Sequence, residues 1–310
     1  METVRRAVID VGTNSIKLLV ADVRGREVAP VLEESRQTRL GKGFYEANRL
    51  QPEAVARTAE AVREFAEIAR EKSATAIRVI ATSAARDAVN PTDLTTAIER
   101  AAGLKTEIIT GDREAEWAFQ GVATDAELAG LPLLLLDVGG GSTEFILGRG
   151  AKKSFARSFP LGTVRLLEQF PHSDPPTHGE FATCQDWVQQ FLRDEVRPRL
   201  GPAWKTKTGD IRLVGTGGTT SILARIEQKL DRFDREKIER TTLSFEEVVA
   251  QRNTLWRLPL AERKEIPGLP KQRADVILTG VLIYETVMEE FGFPALRVST
   301  RGLRFAAVMD

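Results

Sequence analysis

The chain has 310 residues, of which 42% are hydrophobic, and its 44 Lys and Arg residues balance 44 Asp and Glu residues. A hydrophobic fraction of this size favours a fully folded protein over a disordered one. The length exceeds what one hydrophobic core usually serves, so two domains are expected. Proteins that bind nucleic acid or a membrane surface usually carry a basic excess, and the zero net charge argues against both partners.

The chain carries one cysteine, Cys184, and two histidines, His172 and His178. A single cysteine excludes an internal disulfide and fits a reducing compartment, and we expect its thiol to be buried and inert. Strand-like residues begin at Arg6 without a preceding secretory signal, so a cytoplasmic protein is expected. Both histidines lie among prolines in a predicted exposed loop and lack the further spacing of a zinc site.

Predicted strands and helices alternate through the first half of the chain. The best-marked helix covers 52–72, where small apolar residues recur at helical spacing between charged ones. The next helix is expected to begin with Asn90 as N-cap and Pro91 in its first turn, and to end at Gly103. The other predicted elements are strands over 7–23, 27–35, 78–82 and 106–110, and a helix over 113–123.

The second half repeats the pattern and ends in helices. The predicted strands are 131–137, 143–147, 154–159, 211–214 and 295–299, and the predicted helices are 178–196, 219–226, 245–256, 272–291 and a last one from Gly302. The crowded charges of 227–240 indicate a solvated linker. Three tryptophans, Trp187, Trp204 and Trp256, are expected to pack in the core rather than stack on a cofactor.

One short phrase occurs twice. Residues 8–17 are VIDVGTNSIK, residues 135–144 are LLDVGGGSTE, and an apolar run follows each copy. Each copy predicts a strand, a tight turn and a second strand, and such turns direct backbone N–H groups into a concavity that suits phosphate. The repeat therefore predicts an α/β protein of two duplicated domains facing each other across a phosphate-binding cleft. The residues expected to bind phosphate are Gly12, Thr13, Asn14, Ser15, Gly139, Gly140, Gly141, Ser142 and Thr143.

Three acids accompany these turns: Asp10, Asp137 and Glu144. A carboxylate about 4 Å from a phosphate oxygen is repelled by roughly 4 kcal/mol at an effective dielectric constant of about 20. A divalent cation between the two reverses the sign, because Mg²⁺ is held by one or two carboxylates together with phosphate oxygens. We therefore predict that the three acids are Mg²⁺ ligands, with Mn²⁺ able to substitute. The alternative is that an Asp at a strand end only caps its turn.

The two turns resemble the phosphate loops of the actin-like ATPase and sugar kinase superfamily, and they are most similar to those of the exopolyphosphatase / guanosine-pentaphosphate phosphatase family. Further segments resemble that family in the same order, namely 81–90, 109–115, 214–219, 267–277 and 301–304. One Gly-rich turn is weakly specific, whereas an ordered set along nearly the whole chain is strongly so. The resemblance implies two actin-like (ribonuclease H-like) domains, each a mixed five-stranded sheet flanked by helices. It places domain I at 1–124, with a last helix over 301–310 packing back on it, and domain II at 125–300.

The resemblance also implies a catalytic base. The family motif Gly-x-x-Glu-Ala matches 111–115 and makes Glu114 the base. The start of a helix keeps an acid ionised, although Glu is common there for helix stability alone and Glu116 could serve equally. Arg113 stands where the family often has a second Glu, which alters the local charge.

Two basic residues and a third Gly-rich segment complete the expected site. Lys17 and Arg86 match basic residues of the family and are expected to contact phosphate. The alternatives are a strand residue with a solvated amine for Lys17 and a surface ion pair for Arg86. Gly215, Gly217 and Gly218 join a strand to a helix, where an anion site commonly forms, and they are expected to line the substrate path.

The function implied by the resemblance is a Mg²⁺-dependent exophosphatase that releases terminal phosphate from inorganic polyphosphate, with guanosine pentaphosphate as the other family substrate. Water activated by Glu114 would attack the terminal phosphorus in line. A kinase of the same fold is the alternative enzyme, and an alarmone-binding or actin-like module without catalysis is the alternative non-enzyme. Longer family members append a helical domain that this sequence does not show, which implies the short form and a preference for shorter polyphosphate. Formation of a homodimer is neither predicted nor excluded by the sequence.

Overall fold

The computed structural model of the protein describes residues 2–201 and 211–310. The chain divides into two compact units. Unit 1 comprises Met1–Asp125 and Gly302–Asp310, and unit 2 comprises Ala126–Arg301. Trp204, expected to pack in the core, lies outside the described residues.

Unit 1 is built on a five-stranded sheet. Its strands are β1 (Val4–Val11), β2 (Ser15–Arg24), β3 (Glu27–Gln37), β4 (Ala76–Ala81) and β5 (Thr106–Ile108). The spatial order is β3-β2-β1-β4-β5. The first three strands form an antiparallel meander, and β1, β4 and β5 run parallel. The predicted mixed sheet is therefore confirmed for this unit.

The helices of unit 1 cover the sheet. They are α1 (Pro52–Glu71), α2 (Ser83–Asp87), α3 (Pro91–Ala102), α4 (Gly111–Val122) and α13 (Leu303–Ala307). The small apolar residues of α1 are buried, as their spacing predicts. The α3 helix begins after Asn90 at the N-cap position with Pro91 in its first turn and ends at Gly103 in the left-handed conformation, as predicted, but the Asn90 side chain makes no capping hydrogen bond. The Asn90 side chain instead bonds the backbone of Leu50 and the Asp93 carboxylate.

Unit 2 is built on a six-stranded sheet. Its strands are β6 (Pro132–Val138), β7 (Thr143–Arg149), β8 (Lys152–Phe159), β9 (Arg212–Thr216), β10 (Thr242–Ser244) and β11 (Ala295–Val298). The spatial order is β10-β11-β9-β6-β7-β8. The sequence predicts only five of these strands, because β10 has three residues and its strand conformation comes from antiparallel pairing with β11.

The helices of unit 2 are α5 (Thr163–Gln169), α6 (His178–Phe191), α7 (Arg197–Leu200), α8 (Gly217–Glu227), α9 (Arg235–Glu239), α10 (Phe245–Arg257), α11 (Leu260–Arg263) and α12 (Ile277–Phe291). A turn of π-helix over Leu192–Val196 joins α6 to α7. Two predictions are wrong here: the supposed linker contains α9, and α12 begins at Ile277 because a separate 3₁₀ turn occupies Lys271–Arg273. The sequence analysis also missed α5.

Several predicted core residues are confirmed. Cys184 is 1% exposed, and burial raises the pKa of its thiol to about 12. Trp187 and Trp256 both pack against the core of unit 2. Within the described residues, no helix has the length and apolar character to cross a membrane.

Candidate phosphate-binding turns and catalytic carboxylate

The two repeated phrases fold into the same strand pairing. In unit 1, Asp10 of β1 lies opposite Lys17 of β2 in the antiparallel register. In unit 2, Asp137 of β6 lies opposite Glu144 of β7. Directly opposed residues on antiparallel strands are close enough to interact. Unit 1 therefore sets opposite charges against each other at this position, whereas unit 2 sets two acids together.

The turns between these strands also share one backbone geometry. The N–H of Gly12 donates to the carbonyl of Ser15 over 3.1 Å, and the N–H of Gly139 donates to the carbonyl of Ser142 over 2.9 Å. A Cβ on either glycine would lie 3.0 Å from that same carbonyl oxygen, so both positions favour glycine. The predicted duplication holds at the level of individual hydrogen bonds.

Four backbone N–H groups at the tips of the turns make no hydrogen bond to another described residue. They belong to Thr13, Asn14, Gly140 and Gly141. The Nδ2 atom of Asn14 is likewise buried without an acceptor among the described residues. Consecutive N–H groups without internal partners are the donors that an anion-binding turn requires.

Asp10 is the most desolvated acid of unit 1. The residue is 5% exposed, and its Oδ1 atom has no hydrogen-bond partner in the described part of the chain. Burial raises the pKa of Asp10, and the nearby charges of Lys17 and Arg304 act in the opposite direction. The Arg304 guanidinium donates to the carbonyl of Leu18 and pairs with Glu33. A buried carboxylate oxygen without a donor is chemically suited to a cation or to a bound water.

Glu144 is held by two hydroxyl groups. The residue is 1% exposed, and its Oε1 atom accepts from Ser142 Oγ over 2.9 Å and from Ser158 Oγ over 2.7 Å. The Thr143 hydroxyl donates to the carbonyl of Leu161. The hydroxyls of Ser142 and Thr143 thus donate to other protein groups. Any contact of these two residues with phosphate would use their backbone N–H groups. Sequence reasoning missed Ser158, although its place opposite Glu144 follows from pairing β7 with β8.

The third Gly-rich segment meets Asp137. Gly217 has φ +90°, and a Cβ there would lie 2.4 Å from Oδ1 of Asp137. Only glycine allows this backbone to approach the carboxylate so closely. Gly218 follows in the first turn of α8, and both glycines are half-buried. Gly215 differs, because it lies buried within β9 and a Cβ there would meet Thr220 and Leu296. Packing therefore accounts for Gly215.

Glu114 and Arg86 form an ion pair. The Nη1 atom of Arg86 lies 2.8 Å from Oε2 of Glu114, and the two side chains are 21% and 10% exposed. Arg86 also donates to the carbonyl of Ile109 and lies 3.7 Å from the Asp87 carboxylate. The surface ion pair considered for Arg86 is thus a largely buried one, and it engages the predicted base. An opposite charge at this distance favours the ionised carboxylate.

Arg113 engages residues other than Glu114. Its guanidinium pairs with Asp310 over 2.7 Å and lies over the ring of Trp117 at 4.5 Å. Its backbone N–H donates to the Thr110 hydroxyl, which caps α4. The Arg113 guanidinium is therefore engaged with Asp310 and Trp117.

Within each unit the predicted residues gather at the carboxyl edge of the parallel strands. In unit 1 the N–H of Thr82 donates to the carbonyl of Val11, and the N–H of Ile109 donates to that of Ala81, so the ends of β1, β4 and β5 are aligned. In unit 2, Asp137 is level with Thr216 of β9. Ligands of open α/β sheets bind at this edge.

No group of three or more His, Cys, Asp or Glu side chains that could hold a metal ion occurs among residues 2–201 and 211–310. Asp137 and Glu144 nevertheless offer two adjacent carboxylates in unit 2. This donor set fits Mg²⁺, which usually takes one or two protein carboxylates and completes its shell with water and phosphate.

Comparison with known proteins gives concordant matches. The sequence model of the Ppx/GppA phosphatase family matches residues 19–309. Exopolyphosphatase 2 of Mycobacterium tuberculosis is 37% identical over 302 residues, which cover 94% of this chain and 92% of that protein. The Aquifex aeolicus PPX-GPPA enzyme superposes with a TM-score of 0.79 at 30% identity over 99% of both chains. An exopolyphosphatase from Cytophaga hutchinsonii superposes with a TM-score of 0.87 at 28% identity, covering 97% of this chain and 96% of that one. The predicted two-domain actin-like fold is confirmed.

Proposed function

The chain belongs to the Ppx/GppA phosphatase family, and from this premise we propose that it is an exopolyphosphatase that releases terminal phosphate from inorganic polyphosphate. One observation carries the proposal most strongly. A turn with internally unbonded N–H groups lies beside two adjacent carboxylates, Asp137 and Glu144. Hydrolysis of a phosphoanhydride requires N–H groups that bind the phosphate and, beside them, acids that can hold a cation. Its catalysis consists mostly of positioning the phosphate and stabilising its charge.

The proposed base is Glu114. Its carboxylate pairs with the Arg86 guanidinium over 2.8 Å, and an ionised carboxylate can accept a proton from a water molecule. As the water oxygen attacks the terminal phosphorus, the bond from phosphorus to the bridging oxygen breaks and the shortened chain leaves. The Arg86 guanidinium has further N–H donors and can bind a phosphoryl oxygen while it holds Glu114.

The phosphate chain is proposed to bind through backbone N–H groups of Gly12–Ser15 and of Gly139–Thr143, with Gly217 and Gly218 lining its path. Lys17 supplies a positive charge beside the first turn. Asp137 and Glu144 would hold Mg²⁺, which neutralises phosphate charge when bound. Asp10 is the third proposed ligand, in keeping with its unbonded Oδ1 atom. Mn²⁺ prefers the same oxygen ligands and is expected to substitute.

Guanosine pentaphosphate is the second proposed substrate, since it also ends in a triphosphate. Among polyphosphates we propose a preference for short chains. Arg301 and Arg304 are engaged with Glu239 and Glu33 within their own units, which leaves fewer cations to bind additional phosphates. The zero net charge also offers no long-range attraction for a long polyanion.

The experiment that tests the activity is phosphate release from four substrates: tripolyphosphate, long polyphosphate, guanosine pentaphosphate and ATP, each with and without Mg²⁺. The proposal expects Mg²⁺-dependent release from tripolyphosphate above the release from ATP. Absence of release from both polyphosphates, with a correctly folded protein, would overturn it. Transfer of phosphate to a sugar or acyl acceptor in place of water would support the kinase alternative.

A further inference from the structure

The carbonyl groups of the second turn are all held from one side. The carbonyls of residues 139–141 accept hydrogen bonds from residues 163–165, at the start of α5. The bonds are Thr163 N to Gly139 O at 3.0 Å, Val164 N to Gly140 O at 2.8 Å, Arg165 N to Gly140 O at 3.1 Å, and Arg165 Nε to Gly141 O at 2.9 Å. A Cβ on Gly162 would lie 2.5 Å from Gly140 O, so the two backbones are in direct contact.

These bonds fix the direction of the N–H groups. In a planar trans peptide the carbonyl of one residue and the N–H of the next point in opposite directions. Because the three carbonyls point toward α5, the N–H groups of Gly140, Gly141 and Ser142 point away from it. The hydrogen bonds from residues 163–165 thus leave three successive N–H donors of the turn on the side opposite α5.

The corresponding position in unit 1 is held differently. By alignment of the two phrases, Asn14 corresponds to Gly141. The Asn14 carbonyl accepts from two backbone N–H groups, those of Thr38 and Arg39. The Gly141 carbonyl accepts from a side chain, that of Arg165. The second turn also has three consecutive glycines, which is the least restrained backbone a protein can use.

We propose that Arg165 is a positioning residue, whose side chain holds the Gly139–Gly141 turn in the conformation that binds phosphate. Arg165 is half-buried and donates through both its backbone N–H and its Nε atom, so it restrains two neighbouring peptide groups at once. Its charge adds to the attraction for an anion at the turn. This inference rests on the proposed function, since it assigns a role in binding the phosphate chain.

The test compares Arg165→Ala with the wild-type protein in steady-state release of phosphate from tripolyphosphate. The backbone bonds of Val164 and Arg165 remain in this variant, so the thermal unfolding temperature is expected to change little. Small misplacements of binding groups cost up to about 100-fold. We expect kcat/KM to fall about 10- to 100-fold, mainly through a higher KM, while the Mg²⁺ concentration for half-maximal activity stays unchanged.

Chemical rescue separates a positioning role from a general loss of structure. Guanidinium at millimolar concentration is expected to raise the kcat/KM of Arg165→Ala at least threefold. The kcat/KM of Arg165→Lys is expected to lie between those of the wild type and Arg165→Ala. The matched control is Arg193→Ala, whose exposed guanidinium pairs with Glu290, and it should neither lose activity nor gain from guanidinium. An unchanged KM in Arg165→Ala, or a loss that guanidinium leaves in place, would overturn the proposal. An inactive wild-type protein would instead refute the proposed function.

Discussion

The Arg86 guanidinium and the Glu114 carboxylate lie 2.8 Å apart at the carboxyl edge of the unit 1 sheet. Their sequence positions are 28 residues apart, and they meet because β4 and β5 are adjacent parallel strands. An exposed ion pair contributes little, but this pair is largely buried, so removing one partner leaves a charge with poor solvation.

The first prediction concerns Arg86. Arg86→Gln removes the positive charge beside Glu114 and the guanidinium that is proposed to donate to a phosphoryl oxygen. The kcat/KM for tripolyphosphate should therefore fall at least tenfold, on the order of a lost charge-assisted contact. Arg86→Lys keeps the charge without the fork of donors and should recover only part of the loss. The matched control is Arg113→Gln, where the guanidinium pairs with Asp310 instead. Equal activities of Arg86→Gln and Arg113→Gln would contradict the assignment.

The second prediction concerns the acid pair of unit 2. Chelation should abolish phosphate release, and Mg²⁺ or Mn²⁺ should restore it. Asp137→Asn and Glu144→Gln should each raise the Mg²⁺ concentration for half-maximal activity at least tenfold, because each removes one charged ligand. Ser158→Ala, which removes only a hydroxyl bonded to Glu144, should have a smaller effect in the same direction. Full turnover after exhaustive chelation would contradict the proposed requirement for a divalent cation.

The third prediction concerns Gly217. Gly217→Ala places a Cβ 2.4 Å from Asp137 Oδ1 at φ +90°, so the variant suffers both backbone strain and a clash with the carboxylate. Gly103→Ala is the matched control, since φ is +68° there and nothing lies within 4 Å of the new Cβ. Left-handed backbone costs an alanine roughly 1–2 kcal/mol at either site. Gly217→Ala should lower the unfolding temperature further than Gly103→Ala and should alone weaken the response to Mg²⁺.

The fourth prediction concerns Asp10 and pH. Burial raises the pKa of Asp10 above its ordinary value of 3.8. The native state then binds more protons than the unfolded chain between the two pKa values, so the free energy of unfolding falls as pH rises through that interval. Asp10→Asn should therefore raise the unfolding temperature at about pH 7. This increase should shrink as the pH is lowered toward 3.8, the ordinary pKa of Asp10. Asp22→Asn should give no gain, because a hydrogen bond from Arg5 lowers the pKa of Asp22.

Much of the fold could be predicted because the sequence signals are local. The helix at Pro52–Glu71 and the two repeated turns have strong periodicity or strong turn residues. The elements that were missed have no such signal. The Thr163–Gln169 helix has seven residues, and its preceding Gly162 is fixed by contact with Gly140 rather than by capping. The strand at Thr242–Ser244 exists only through its partner strand.

The candidate site was predictable in its residue types and less so in their contacts. Sequence reasoning located Arg86 and Glu114 separately, but their pairing depends on the order of strands in the sheet. It placed Ser142 and Thr143 among the phosphate-binding residues, and it did not predict that their hydroxyls bond Glu144 and the carbonyl of Leu161. Gly215 was grouped with Gly217 by its motif, yet it lies buried within the strand. Side-chain partners of this kind follow from packing that one sequence does not specify.

The most direct test of the central claim is the turnover of Glu114→Gln on tripolyphosphate at saturating Mg²⁺. This change keeps the size and hydrogen bonding of the side chain but removes its basicity, and loss of a general base typically costs about 10²–10⁴ in rate. We expect kcat to fall by that order with little change in KM, while Glu116→Gln, on the same helix and paired with Arg113, retains wild-type kcat. A Glu114→Gln protein that keeps more than about a third of the wild-type kcat would contradict the assignment of the base.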